Sequence, residues 1–537
     1  MSPSETASAD SKPRHSALVL SALILGAIVA NMNLGIANVA LPSIGRQLGA
    51  SQTQLTAVGN AFTLGLACSV LYLGALGDKY GRKLLYLLGS GFAVPTAILA
   101  ATSNSINLLI VARFLSGIAA GLLFPTTLSI VSALFKGKAQ TKAIALWSGI
   151  GGGFAALGPL MGGLLLGSFW WGSVFLITVP IAVVVFVLGL FVLPKHAGED
   201  AKEVDNLGGV LSVIAVASLV VALQEVPSND WGSVGVLTAI SIVAFVLFFL
   251  RQRRAPRPLV DLHAAKATTF WVAAVAGTIT FGGLIGALFI GQQFTQNVLG
   301  YSALQAAVIQ LPLGILMILT SVPAARMMRR FGGRTTLLAG LLTVTLAFAW
   351  MLVFWRPGAA IFHVLFAYGL VGAGVGLSAA PASKALMASL TTSRAGMGSA
   401  FTDLTRDFGG AVMNAVMGSA LAIAYTSSLS TALGKLSPAQ AEQLGSQAAQ
   451  QIVSSYEGAA AVAERYPPTP ASQILTAASN GFTEGKSLAV GIALLFTLLS
   501  VVLVVLRYPR QRTETAFFEQ IAEESRREEE QAESLPS

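Results

Sequence analysis

Charge is scarce in this chain. Only 11% of its 537 residues are Asp, Glu, Lys or Arg, where a soluble domain carries roughly 25%. That shortage excludes an ordinary soluble protein, which needs charge to cover its surface. Cysteine is nearly absent: Cys68 stands alone, so no disulfide can form within the chain. The four histidines, His15, His196, His263 and His363, are scattered and have no cysteine at metal-ligand spacing, so no metal is expected. A phosphate-binding P-loop and a serine-nucleophile elbow are both missing. ATP hydrolysis, enzyme chemistry and a bound cofactor are therefore not expected, and energy has to come from an ion gradient. Met1 to His15 is polar and no small-residue cleavage site follows the first apolar run, so a cleaved signal peptide is not expected either.

What is abundant is hydrocarbon. Hydrophobic residues make up 54% of the chain and the mean hydropathy is +0.72. They are gathered into runs of about 20 residues, each long enough to cross a bilayer as a helix. Fourteen spans are predicted, at about 17–40, 54–76, 84–102, 106–133, 141–166, 170–193, 207–226, 232–250, 269–297, 302–325, 335–355, 359–388, 395–425 and 484–506. The net charge of +9 could suggest a nucleic-acid partner. The distribution argues against it. With the N-terminus inside, 25 of the 33 lysines and arginines fall in cytoplasmic segments, five in outer loops and three within spans. That bias predicts a multi-pass plasma-membrane protein with both termini cytoplasmic. Residues 426–480 read as a polar outer segment. Residues 511–537, with Glu528-Glu529-Glu530, read as a solvated acidic tail.

Acid is rarest where it matters most. Of 24 acidic residues, only Asp403 and Asp407 fall deep in an apolar run. Ionised groups are costly in hydrocarbon, so such a pair is a functional candidate by default. Their spacing of four puts both on one helix face, with Arg406 beside them. A carboxyl pair that takes up and releases protons is what a proton-coupled carrier needs. Two more basic residues, Arg113 and Lys384, also fall within spans. At about 1.5 Å per residue, Lys384 and the two aspartates reach a similar depth, about 14–20 Å from Arg394, which predicts a Lys384–aspartate pair. Near the outer end of the ninth span, Gln292 and Gln296 share a face, and either line a substrate cavity or meet water.

The chain also repeats itself. The turn after span two reads Gly74-Ala-Leu-Gly-Asp78-Lys-Tyr-Gly81-Arg82-Lys83, and the turn after span ten reads Arg329-Arg330-Phe-Gly332-Gly333-Arg334. Two similar six-span halves, with two spans inserted between them, mark a duplicated carrier. A third motif runs Gly149-Ile-Gly-Gly-Gly153-Phe-Ala-Ala-Leu-Gly158-Pro159-Leu-Met-Gly162-Gly163. Its glycines allow close helix approach, and Pro159 bends the helix. With Leu108 to Gly121 around Arg113, and Asn38-Val-Ala-Leu-Pro42 closing span one, the chain resembles the major facilitator superfamily. It is most similar to the branch of fourteen-span drug:proton antiporters.

That resemblance implies a fold of two six-helix bundles plus two inserted helices. The divisions expected are an N-terminus at 1–16, a first bundle at 17–193, linker spans at 194–268, a second bundle at 269–506 including the outer loop 426–483, and an acidic tail at 507–537. It implies that Asp78 and Arg82 gate the cytoplasmic side, that Arg113 is tied to proton transfer, and that the Gly158-Pro159 element marks an antiporter. Asn33 stands where the branch usually has aspartate. Ser116, Gly172 and Thr178 depart from the family pattern as well. Asn33 and Asn38 join Gln292 and Gln296 as candidate cavity residues. The expected function is proton-coupled efflux of small amphipathic molecules or drugs, by a monomer whose partners are substrate, protons and lipid. The alternatives are a dedicated exporter of one endogenous metabolite or lipid and, in another class, a non-transporting membrane sensor or scaffold.

Overall fold

The computed structural model describes residues 16–534 apart from 136–142, 144–145, 148–157, 195–203, 257, 261, 263, 391–394, 436, 438–439, 441 and 443. Among the described residues the regular structure is helical throughout. In hydrocarbon each backbone N–H and C=O must be satisfied within its own segment, which a helix does. The principal helices are α1 (Ser16–Leu48), α2 (Gln52–Tyr80), α3 (Arg82–Ala101), α4 (Ile106–Leu134), α5 (Thr178–Val192), α6 (Asn206–Glu225), α7 (Trp231–Arg254) and α8 (Thr268–Gln293). They continue as α9 (Ala303–Ile309), α10 (Leu311–Phe354), α11 (Ile361–Ala388), α12 (Ala395–Leu433), α13 (Ser446–Ser454), α14 (Tyr456–Ala463), α15 (Pro468–Arg507) and α16 (Gln511–Ser534).

Twelve helical segments among the described residues are long and apolar enough to cross a membrane. One of them, Ala303–Phe354, holds 52 residues. A straight helix of that length would run about 78 Å, more than twice a hydrocarbon core of about 30 Å. It breaks at Gly332, whose φ of 84° suits glycine alone, and the two arms match predicted spans ten and eleven. Predicted span five lies mostly outside the described residues, which show its end as helix at 158–166.

Polar caps start the helices where the apolar runs begin. Ser51 and Ser302 each form a capping box, with Gln54 and Gln305. Ser105, Asp205 and Asp230 cap α4, α6 and α7. Two groups of helices then form. α1 to α5 pack on one another, as do α8, α10, α11, α12 and α15. In the first group, a Cβ on Gly117 would lie 2.1 Å from the Phe62 carbonyl oxygen, so α2 and α4 meet backbone to backbone. The inserted α6 packs against α2 and α12, and Ser241 of α7 donates to the Ala215 carbonyl at 2.9 Å. Large apolar side chains such as Phe191, Trp231, Val236 and Leu506 stay exposed. A soluble protein would bury such side chains; left exposed, they suit a helix bundle that sits in a membrane.

The C-terminal segment departs from its expectation as a solvated tail. It forms α16, which docks on α10. Glu514 is buried, accepting from the Gly333 N–H and the Tyr508 hydroxyl, both at 2.9 Å. A carboxylate on the free N–H groups that follow the Gly332 break supplies the reason. α15 also begins earlier than its predicted span. Lys486, near the start of the predicted span 484–506, is fully buried in the packed interior, where the amine donates to the Met351 carbonyl at 3.4 Å.

Candidate functional site

The acid pair sits on α12, the helix that joins the two groups. One side of α12 packs on α8, where a Cβ on Gly409 would lie 2.2 Å from the Thr278 carbonyl oxygen. The other side meets α2, where Asn60 donates to the Ala411 carbonyl at 2.9 Å. Between these contacts Arg406 binds both aspartates. Its Nε lies 3.1 Å from Asp407 Oδ1, and its Nη2 lies 3.9 Å from Asp403 Oδ1. The guanidinium also covers the Phe124 ring of α4 at 4.8 Å, a cation–π contact that reaches across to the first group. Asp407 is 2% exposed, and its Oδ2 has no hydrogen-bond partner among the described residues. A buried oxygen left open in this way is a ready place for a proton.

The structure does not bring Lys384 to this pair. Lys384 lies one turn from the end of α11, is exposed, and holds its ammonium 5.6 Å from the Phe518 ring of α16. Equal depth did not mean equal direction: a long lysine stem near a helix end turns outward to water. A cavity of about 250 Å³ lies between α2, α6, α7 and α12, lined by Cys68, Ser212, Phe245, Phe248, Phe401 and Leu404 among others, with neither aspartate in its lining. Its walls are nearly all apolar, and Phe401 and Leu404 flank Asp403 in sequence.

Arg113 forms a second buried centre. It is fully buried, donating to the Asn33 carbonyl at 3.0 Å and the Asn33 side-chain oxygen at 3.4 Å. Its guanidinium lies 4.9 Å from the Phe62 ring and 5.4 Å from the Phe175 ring. Asn33 thus faces α4, and the gap beside it, about 10 Å³, holds no more than one water. Asn38, five residues further on, lies about 140° around α1 from Asn33, on a second stripe of the helix. A Cβ on Gly59 of α2 would lie 3.2 Å from its Oδ1 and 3.1 Å from the Phe289 ring of α8. Of the two stripes, the one with Asn38 meets the second group and the one with Asn33 does not.

The glycine-rich element divides its contacts. A Cβ on Gly158 would lie 2.6 Å from the Met32 carbonyl oxygen, and one on Gly162 would lie 3.1 Å from Ile36, both on α1. Gly163 instead meets α9, with Leu304 Cα at 2.8 Å and the Ala303 carbonyl oxygen at 3.0 Å. Pro159 lies in the helical stretch 158–166, while Gly149 and Gly153 lie outside the described residues.

The two repeated turns are alike in backbone. Gly81 has φ 108° and Gly332 has φ 84°, and each joins two helices. Gly74 packs near Pro125 of α4. Arg82 donates to the Ser129 carbonyl at 3.1 Å, and Lys83 to the Leu190 and Leu193 carbonyls at 2.9 and 2.6 Å. In the second turn Arg330 lies 5.2 Å from the Phe331 ring, and Arg334 donates to the Val505 carbonyl. Lys83 and Arg334 close carbonyls at the C-terminal ends of α5 and α15. The Asp78 side chain lies outside the described residues.

At the face away from these basic turns, the two groups are joined by amides. Gln52 of α2 donates to Gln293 of α8 at 3.0 Å. Gln292 accepts from Gln310, and Gln296 donates to the Val39 carbonyl of α1 at 3.1 Å. Gln292 is fully buried, so it neither meets water nor lines an open cavity in this conformation. The next residue, Asn297, donates to Glu457 of α14 at 2.7 Å. Glu457 had no signal in the sequence: it lies in the polar segment, outside any apolar run. Gln52, Gln293 and Gln310 gave only a weak one, as isolated amides at helix ends.

A family model described as Major Facilitator Superfamily matches residues 23–414. The Multidrug efflux pump LfrA of Mycolicibacterium smegmatis is 31% identical over 508 residues, 94% of this chain and 99% of LfrA. The Multidrug resistance protein Stp of Mycobacterium tuberculosis is 31% identical over 424 residues, 78% of this chain and 79% of Stp. The fold is similar to that of a bacterial homologue of the human lysosomal transporter Spinster, with TM-score 0.61, 15% identity and coverage of 94% of this chain and 98% of that one. It is likewise similar to a POT family transporter, with TM-score 0.62, 14% identity and coverage of 91% and 96%. The duplicated basic turns, the acid pair between two helix groups and these likenesses agree: the chain belongs to the major facilitator superfamily.

Proposed function

We propose that this protein is a proton-coupled antiporter that exports small amphipathic molecules across the plasma membrane. The observation that carries the reading is Asp407, buried on the helix that joins the two groups, with one oxygen bound to Arg406 and the other open. Asp407 takes up a proton, Asp403 assists, and Arg406 holds whichever carboxylate is ionised. The apolar cavity lined by Phe401 and Leu404 supports a substrate with a large greasy part, as do the drug-efflux names of the relatives.

In this reading the basic face is cytoplasmic, both termini lie inside, and fourteen spans form two six-helix bundles with α6 and α7 inserted between them. Alternating access exposes the acids first to one side and then to the other. The backbone contact of Gly163 with α9 holds the outer side shut, while those of Gly158 and Gly162 with α1 hold the first bundle together. Arg82 and Lys83 on one turn, and Arg334 on the other, brace the cytoplasmic side. The test is accumulation of a panel of lipophilic dyes and drugs in cells with and without the protein. Lower accumulation that an uncoupler restores is the expected result. Lower accumulation unaffected by an uncoupler would refute proton coupling.

A further inference from the structure

The polar segment between α12 and α15 folds back over the outer ends of the spans. Tyr425 of α12 donates to the Ile452 carbonyl of α13 at 3.0 Å, and α14 packs against α15 and α1. This places the Glu457 side chain, 1% exposed, in the seam between the bundles. On the side of the first bundle, Gly45 of α1 has no room to spare: a Cβ there would lie 2.9 Å from Glu457 Cγ. On the side of the second, Asn297, in the π-helical turn after α8, donates to Glu457 Oε1 at 2.7 Å. Glu457 Oε2 is buried and has no hydrogen-bond partner among the described residues.

We propose that Glu457 is a second proton-binding site, a latch that keeps the outer side closed when it carries a proton and releases it when ionised. This rests on the alternating-access reading above. Protonated, the carboxyl is a neutral group wedged against Gly45 and bonded to Asn297, so it spans both bundles. Ionised, it is a buried charge with one oxygen unsatisfied, a state that burial disfavours. Opening the outer side lets it reach water.

The charged and titratable groups around it do not cancel that charge. From α1, Arg46 is near but exposed. Tyr425 on α12 and Tyr456 on its own helix are neutral phenols that gain nothing from a nearby carboxylate. α13 carries no titratable side chain, and on α15 Glu484 is exposed while Lys486 turns to Met351. Burial lifts the carboxyl from an ordinary 4.5 to about 7, against smaller opposing effects of its own backbone N–H, the Asn297 bond and Arg46. The closed state therefore binds the proton more tightly than an open state in which Glu457 is hydrated. Closure is favoured at low pH and loses that advantage as pH rises from about 4.5 through about 7. The proton comes from the outer medium and returns to it. Glu457 thus gates the cycle by reading external acidity and does not itself carry charge across.

The test uses the full chain in lipid nanodiscs without substrate, with Cys68→Ala and spin labels at Gln47→Cys and Pro357→Cys, exposed sites on the outer ends of the two bundles. Wild type should lose closed population by on the order of a hundredfold in the closed-to-open ratio between about pH 4.5 and about pH 8.5. Glu457→Gln should stay closed across that range. Asn297→Ala, which removes the bond that favours the carboxylate, should move the midpoint to higher pH. A flat wild-type profile, or a slope unchanged in Glu457→Gln, would overturn the latch. If Glu457→Gln does not fold, an unmoved midpoint in Asn297→Ala overturns it equally. Uncoupler-sensitive export is measured separately: its absence from a protein with the expected profile would sink the antiporter reading and leave the latch standing.

Discussion

Gly163 and Gly158 lie five residues apart, yet they should behave in opposite ways. A Cβ at Gly163 would sit 2.8 Å from Leu304 Cα and 3.0 Å from the Ala303 carbonyl oxygen. Both obstacles are backbone, so no rotamer change relieves them. Gly163→Ala must push α9 away from helix 158–166, and overpacking of this kind costs about 1–3 kcal/mol. In the alternating-access reading proposed above, this contact between the two helix groups is made only while the outer side is closed. The cost therefore falls on one state and shifts the closed-to-open ratio by about 5- to 150-fold toward open. At Gly158 the added Cβ would meet the Met32 carbonyl oxygen at 2.6 Å, within the first bundle. That contact persists in both states, so Gly158→Ala should lower the melting temperature without moving the equilibrium. Electron-electron distance measurements between labels at the outer ends of the bundles, paired with thermal unfolding, separate the two effects. Equal closed populations in Gly163→Ala and wild type, with both correctly folded, would refute the idea that this glycine serves closure.

Two further predictions concern buried polar groups. Asn33→Asp places a carboxylate about 3.4 Å from the Arg113 guanidinium, where the two charges neutralise each other; the ranking of cationic and neutral compounds in a resistance panel should stay as in wild type, and a shift toward cations would show that Asn33 reaches the substrate path. Glu514→Ala strips the acceptor from the Gly333 N–H and the Tyr508 hydroxyl, at about 1.5–3 kcal/mol for a charge-assisted bond, so α16 should undock and trypsin should cut at Arg526 and Arg527 faster, with export unchanged.

The parts legible in the sequence were those written in local pattern. Apolar runs marked the spans, and Gly81 and Gly332 marked the two turns that the backbone makes at positive φ. The Asp403-Arg406-Asp407 cluster followed from helical spacing alone. Direction and long-range coverage were not legible. Lys384 shares the acids' depth but points to Phe518, because depth along one helix says nothing about rotation relative to the next. Glu457 sits in a segment whose average composition is polar, and it is buried because that segment folds back on the spans. Asn33 is a candidate cavity residue through the resemblance alone, and only the position of Arg113 shows that it faces inward to its own helix group.

The central claim is that Asp407 binds the proton that drives export. It is tested most directly with Asp407→Asn protein reconstituted in liposomes under an imposed pH gradient, with substrate movement and proton movement followed together. The account predicts a folded protein that binds substrate but shows neither gradient-driven substrate transport nor substrate-dependent proton flux. Undiminished flux of both in Asp407→Asn would contradict it.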